Sequence, residues 1–150
     1  MPAEVPFRLL NEADCETALR LMYAYYAEDE HEFVPERAAT ALNEISIGKA
    51  PARLWLMCSG EDVVGYVCIT LSYSLEVGGN DFILDELFVI PEARGTGLGR
   101  TALDFAENES RKLGARRICL EVERHNEKAR EIYAARDYYE HDRHLMSKWL

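Results

Sequence analysis

Three groups of residues in this chain have types and spacings suited to chemistry. The first is Arg94-Gly95-Thr96-Gly97-Leu98-Gly99-Arg100, which follows the apolar run Leu84 to Ile90 and Pro91. Glycines lack a Cβ, so their N–H groups can converge on one point, and a helix opening there adds unpaired amides and a positive dipole end. Arg94 and Arg100 add full charges, so the turn is suited to a phosphate. The second group is the adjacent pair Asp85 and Glu86, carboxylates able to accept a proton. The third is Tyr133, a phenol able to donate one, at the end of Asn126-Glu127-Lys128-Ala129-Arg130-Glu131-Ile132-Tyr133.

Two common phosphate loops do not fit. A nucleoside-triphosphate loop ends in Gly-Lys-Ser/Thr, whereas Gly99 precedes Arg100 and Thr101. A dinucleotide fingerprint spaces its glycines G-x-G-x-x-G near the start of a chain, and here the order is Arg-Gly-x-Gly-x-Gly, past mid-chain.

The elements that must position these residues follow from periodicity and turn chemistry. Val5 to Leu10 alternates as a first strand. Asn11 or Asp14 can cap a helix carrying Ala18, Leu21, Met22 and Tyr25 at helical spacing, and Pro35 opens a second helix that stops at Gly48. Arg53 to Cys58 and Val63 to Tyr73 form a hairpin across Ser59-Gly60-Glu61-Asp62. Phe82 to Ile90 is the strand that feeds the glycine turn, and the helix from Leu98 ends near Gly114. Arg117 to Val122 is a strand, Asn126 to Arg136 a short helix, and Tyr138 to Leu150 two final strands. The order β-α-α-β-β-β-α-β-α-β-β predicts a mixed α/β (α+β) fold with a largely antiparallel twisted sheet, crossed once in parallel from Phe82 to Arg117.

At 150 residues the chain is expected to form one domain, 1–150, with a substantial core. Its net charge of −10 argues against nucleic acid and favours cationic partners. Cys15, Cys58, Cys68 and Cys119 share no metal or redox spacing, which suits a reducing cytoplasm. No apolar stretch approaches a membrane span, and Met1 to Leu10 has neither the basic start nor the apolar run of a signal peptide. His141 and His144 have no further ligand spaced to join them, so no metal is expected. Cys119 has no neighbouring base and is not expected to be a nucleophile.

The stretch Leu87-Phe88-Val89-Ile90-Pro91-Glu92-Ala93-Arg94-Gly95-Thr96-Gly97-Leu98-Gly99 resembles the acetyl-CoA signature of the GCN5-related N-acetyltransferase (GNAT) superfamily. Leu120-Glu121-Val122-Glu123-Arg124-His125-Asn126 through Tyr133 resembles that family's second motif, and the order of elements is similar over nearly the whole chain. One departure is Asp137-Tyr138, where the family usually has Gly-Phe; aspartate tolerates the left-handed conformation, so a helix end of similar shape is expected.

The resemblance implies acetyl-CoA as cosubstrate. Its pyrophosphate would sit on Arg94, Gly95, Thr96, Gly97, Leu98, Gly99 and Arg100. Its pantetheine amides would pair with backbone of Leu87, Phe88 and Val89, splayed from the neighbouring strand. Asn126 would be a helix cap, a cofactor contact, or both. Tyr133 occupies the position of the acid that protonates the coenzyme A thiolate. The reaction needs a neutral amine, while a lysine-like amine has a pKa of about 10.4, so a base is required. Asp85 and Glu86 are the candidates, and regular strand alternation would let only one face the cleft.

The acceptor implied is a small cationic, polyamine-like amine attacked directly in a ternary complex. Glu28, Asp29, Glu30 and Glu32 beside Tyr23, Tyr25, Tyr26, Phe33 and Tyr73 suit such a cation by charge and cation–π contact. The alternatives are a protein lysine or N-terminal acetyltransferase and a non-catalytic acyl-CoA binding module. A homodimer is a further expectation, since similar proteins often form one.

Overall fold

The computed structural model describes residues 5–150. The chain divides into two units, one reaching to Leu120 and the other spanning Glu121–Leu150.

The first unit is a six-stranded sheet with helices on both faces. Its strands are β1 (Phe7–Leu9), β2 (Ala52–Ser59), β3 (Asp62–Thr70), β4 (Tyr73–Ser74), β5 (Gly79–Val89) and β6 (Ala115–Leu120). Its helices are α1 (Cys15–Glu28), α2 (Pro35–Ser46) and α3 (Leu98–Lys112). The sheet runs β1-β2-β3-β5-β4, with β6 also pairing β5, and every pair is antiparallel except β5–β6.

Burial explains the sequence pattern. Leu54 to Cys58 and Val64 to Ile69 read as apolar runs because β2 and β3 are covered on both faces. On one face Leu54, Leu56, Tyr66, Cys68 and Phe88 pack with Ala18, Leu21 and Leu42 of α1 and α2. On the other, Met57, Val64 and Val89 meet Ala102 of α3, and Phe105 stacks on Phe7 with ring centroids 3.9 Å apart and takes Trp55 edge-on. Gly65 is required where β3 meets β5, because a Cβ there would lie 2.2 Å from the Phe88 carbonyl oxygen.

The second unit holds α4 (Glu127–Ala134). Asp137 follows it at φ 67°, the left-handed conformation expected of this departure from glycine. The two strands expected over Tyr138 to Leu150 are absent: these residues have no strand pairing, and every residue from 139 to 150 is exposed. Charged and polar side chains crowd Glu140 to His144, and Leu145, Met146, Trp149 and Leu150 remain 76–113% exposed, so no apolar face is buried to hold a ladder.

Candidate active site

The glycine turn joins β5 to α3. Gly95 and Gly97 lie at φ 81° and 88°, and Gly97, the N-cap of α3, supplies as a glycine no side-chain cap to the first-turn amides. A Cβ placed on Gly95, Gly97 or Gly99 meets none of the described residues within 4 Å, so the loop backbone faces open space among them. Thr96 Oγ1 donates to the Ala93 carbonyl at 3.0 Å, and Leu98 packs into the core beneath α3. The loop is thus anchored from below and bare above, which fits the pyrophosphate of coenzyme A.

Below the loop, β5 has a free edge. Pairing with β6 stops at Leu84–Leu120, and among the described residues no strand covers that edge beyond it. The Ile90 N–H donates to Val64 at 2.9 Å, and the Phe88 carbonyl faces Gly65 across the β3 seam. By alternation, Leu87 and Val89 turn their backbone groups outward. The resemblance groups Phe88 with them as a backbone partner for pantetheine; its polar groups are instead turned to β3, because it sits opposite Tyr66 in that ladder.

Arg94 is placed differently from the phosphate role the resemblance implies. Its Nε donates to the Val89 carbonyl at 2.9 Å, and a terminal nitrogen meets Glu28 at 2.7 Å. The guanidinium lies 5.7 Å from the centroid of the Phe88 ring. Arg100, by contrast, is exposed at the start of α3.

Asp85 and Glu86 sit at a β-bulge. Cys68 pairs with Glu86 and Ile69 with Leu84, leaving Asp85 as an extra residue. The strict alternation that would send the two carboxylates to opposite faces therefore fails. The Asp85 charge acts on Glu86, Tyr26 and Cys68 alike.

Glu86 is the better held of the pair. Its two oxygens accept from Tyr26 Oη at 2.5 Å and Tyr66 Oη at 2.7 Å. Burial pushes the Glu86 carboxyl above its ordinary value; the two phenols and His31 oppose that shift, and Asp85 adds to it. Burial likewise raises the Asp85 carboxyl. Both phenols are moved well up, chiefly by burial and then by the carboxylate, so they remain donors.

Tyr66 is fully buried, whereas Tyr26 is half-buried beside Tyr25, His31 and Phe33. The sequence marks Tyr26 as part of an aromatic wall but not as a donor to Glu86. Tyr66 lies within an apolar run that reads as ordinary core and carries no such signal.

In the second unit, Asn126 caps α4 by accepting from the Ala129 N–H at 3.2 Å. Tyr133 is half-buried against Tyr138, with ring centroids 5.7 Å apart, and burial raises its phenol. Among the described residues no three His, Cys, Asp or Glu side chains form a metal-ligand group, and no helix is long and apolar enough to cross a membrane.

A mixed sheet with a bare glycine turn above a free strand edge is an arrangement able to seat an acyl-coenzyme A. The model of the acetyltransferase (GNAT) family matches residues 18–138, and the chain belongs to that family. An uncharacterised N-acetyltransferase of Bacillus subtilis, YhfO, is 33% identical over 79 residues, 53% of each protein, so the matched region spans about half the length of that curated relative. An integron cassette protein from the mobile metagenome of Cole Harbour Salt Marsh has 30% identity and a TM-score of 0.82, over 96% of this chain and 90% of that one. A predicted acetyltransferase from Clostridium acetobutylicum, solved with acetyl-CoA, shares the fold at a TM-score of 0.80 with 14% identity, over 96% of both chains.

Proposed function

We propose that this protein transfers the acetyl group of acetyl-CoA to the primary amine of a small cationic acceptor by direct attack in a ternary complex. The observation that carries this reading is Glu86, a half-buried carboxylate held by two phenols on the strand whose free edge leads into the open glycine loop. The loop amides of Gly95 to Arg100 hold the pyrophosphate, and the outward backbone of Leu87 and the N–H of Val89, whose carbonyl accepts from Arg94, take the pantetheine amides. Glu86 receives the proton of the attacking ammonium, directly or through a water, and Asp85 tunes it. Tyr133 protonates the departing thiolate and Asn126 contacts the cofactor in addition to its cap; for these two the support is the resemblance of Asn126 to Tyr133 to the family's second motif.

The acceptor is proposed from charge. Glu28 to Glu32 supplies four acids at the end of α1, beside Tyr23, Tyr26 and Phe33. A protein lysine or N-terminal acceptor and a non-catalytic acyl-CoA module remain the rival readings. We further propose that the chain acts as one domain in a cytoplasmic homodimer; the exposed Leu145, Met146 and Trp149 supply apolar surface for self-association.

Thiol release from acetyl-CoA over a panel of polyamines, monoamines and lysine peptides tests the reading. Turnover is expected on polyamines and is lost in Tyr133→Phe. Tight coenzyme A binding with no turnover on any amine would sink it.

A further inference from the structure

We infer that Arg94 is a positioning residue for the glycine loop, strapping the loop's first residue to β5 and to the last residue of α1, and not a direct ligand of the phosphate. The inference rests on the coenzyme A site proposed above and reassigns one member of it.

Three contacts fix the guanidinium. Nε donates to the outward carbonyl of Val89, a terminal nitrogen is paired with Glu28 at 2.7 Å, and the group lies over the Phe88 ring. Together they hold the planar group at two edges and one face, a geometry that arginine's fork serves and lysine's point charge does not. Arg94 itself has extended backbone at φ −74°, ψ 162°, and Gly95 then turns left-handed, so the chain leads away while the side chain reaches back five residues. The pairing also holds the Glu28 carboxyl below its ordinary range.

The consequence is preorganisation. A glycine-rich loop has much conformational freedom to lose on binding, and a strap on its first residue removes part of that loss beforehand. The same strap joins the donor strand to α1, the helix whose Tyr26 reaches Glu86. It also engages Glu28, so Asp29, Glu30 and Glu32 are the acids left to attract a cationic acceptor.

Calorimetric titration of the full chain with acetyl-CoA separates a strap from a phosphate ligand by sign. For a strap, Glu28→Gln and Arg94→Gln each weaken acetyl-CoA binding by roughly two- to fivefold, the range of one exposed ion pair, and the double variant is no weaker than either. The reversal Glu28→Arg with Arg94→Glu recovers affinity relative to each single reversal, and thermal melts of all variants stay close to wild type.

If Arg94 instead meets the phosphate, Glu28→Gln frees it and tightens binding, Arg94→Gln weakens binding alone, and the double reversal is as poor as Arg94→Glu; that pattern overturns the inference. A wild-type chain that does not bind acetyl-CoA overturns both the inference and the reading beneath it. One that binds, with Glu28→Gln tighter, overturns the inference alone.

Discussion

Glu86 can act as a base only while ionised, and its surroundings pull in both directions. Burial raises its pKa above the ordinary glutamate value of about 4.3, while the hydrogen bonds from Tyr26 and Tyr66 favour the carboxylate. The proposed reaction should therefore lose kcat/KM as pH falls through this raised value. Tyr26→Phe removes one donor and should move that acid limb to higher pH, which a kcat/KM profile against pH reads directly. The raised pKa also means that the folded state binds this proton more readily than the unfolded chain. Glu86 thus favours folding below its ordinary pKa and loses that contribution as pH rises from the ordinary value through the raised one. Glu86→Gln should lower kcat roughly 10²- to 10⁴-fold while melting no lower than wild type at neutral pH. At this scale the sequence is legible where a residue type carries its own chemistry, as with the adjacent acids. It is silent on Tyr66, which becomes a donor only because the β3–β5 register sets it near Glu86.

At the scale of elements, the glycine turn and the strand before it can be read because their signals are local: three glycines, a proline, an apolar run. Two features are not local. The bulge at Asp85 has no glycine or proline to mark it, and the turning of Phe88 toward β3 depends on a partner strand some twenty residues earlier. Gly65 belongs to the same seam. Gly65→Ala would drive a methyl into the Phe88 carbonyl, 2.2 Å from where its Cβ must sit, and should cost about 1–3 kcal/mol in chemical denaturation. Gly99 offers the opposite test. It has ordinary helical backbone, and a Cβ there would have no neighbour within 4 Å among the described residues, so Gly99→Val should fold normally while weakening coenzyme A binding about tenfold or more in a calorimetric titration.

For the whole molecule, the charge of −10 is the property the sequence states outright, and it makes a prediction about ionic strength. If the acids around α1 attract the acceptor, KM for a polyamine should rise with salt over the range in which the Debye length contracts, and KM for a weakly charged amine should not. The final strands do not form because alternating apolar residues describe a strand only when a ladder partner and a buried face exist, and residues 139–150 have neither. The proposed homodimer is checked by light scattering: Leu145→Asp with Trp149→Asp should shift the chain to a monomer.

The extra residue at Asp85 also makes β5 a strand with a phase slip. Leu84 pairs with Ile69 and Glu86 with Cys68, so the inside–outside rhythm before the slip is half a period out of step with the rhythm after it. Substitution at Asp85 leaves that offset in place, whereas deletion cancels it. A one-codon deletion would leave Leu84 opposite Ile69 and Glu86 opposite Cys68 in a regular ladder, and would remove only the Asp85 carboxylate. The extra residue thus does not aim Glu86; it adds a second carboxylate whose charge acts on Glu86, Tyr26 and Cys68.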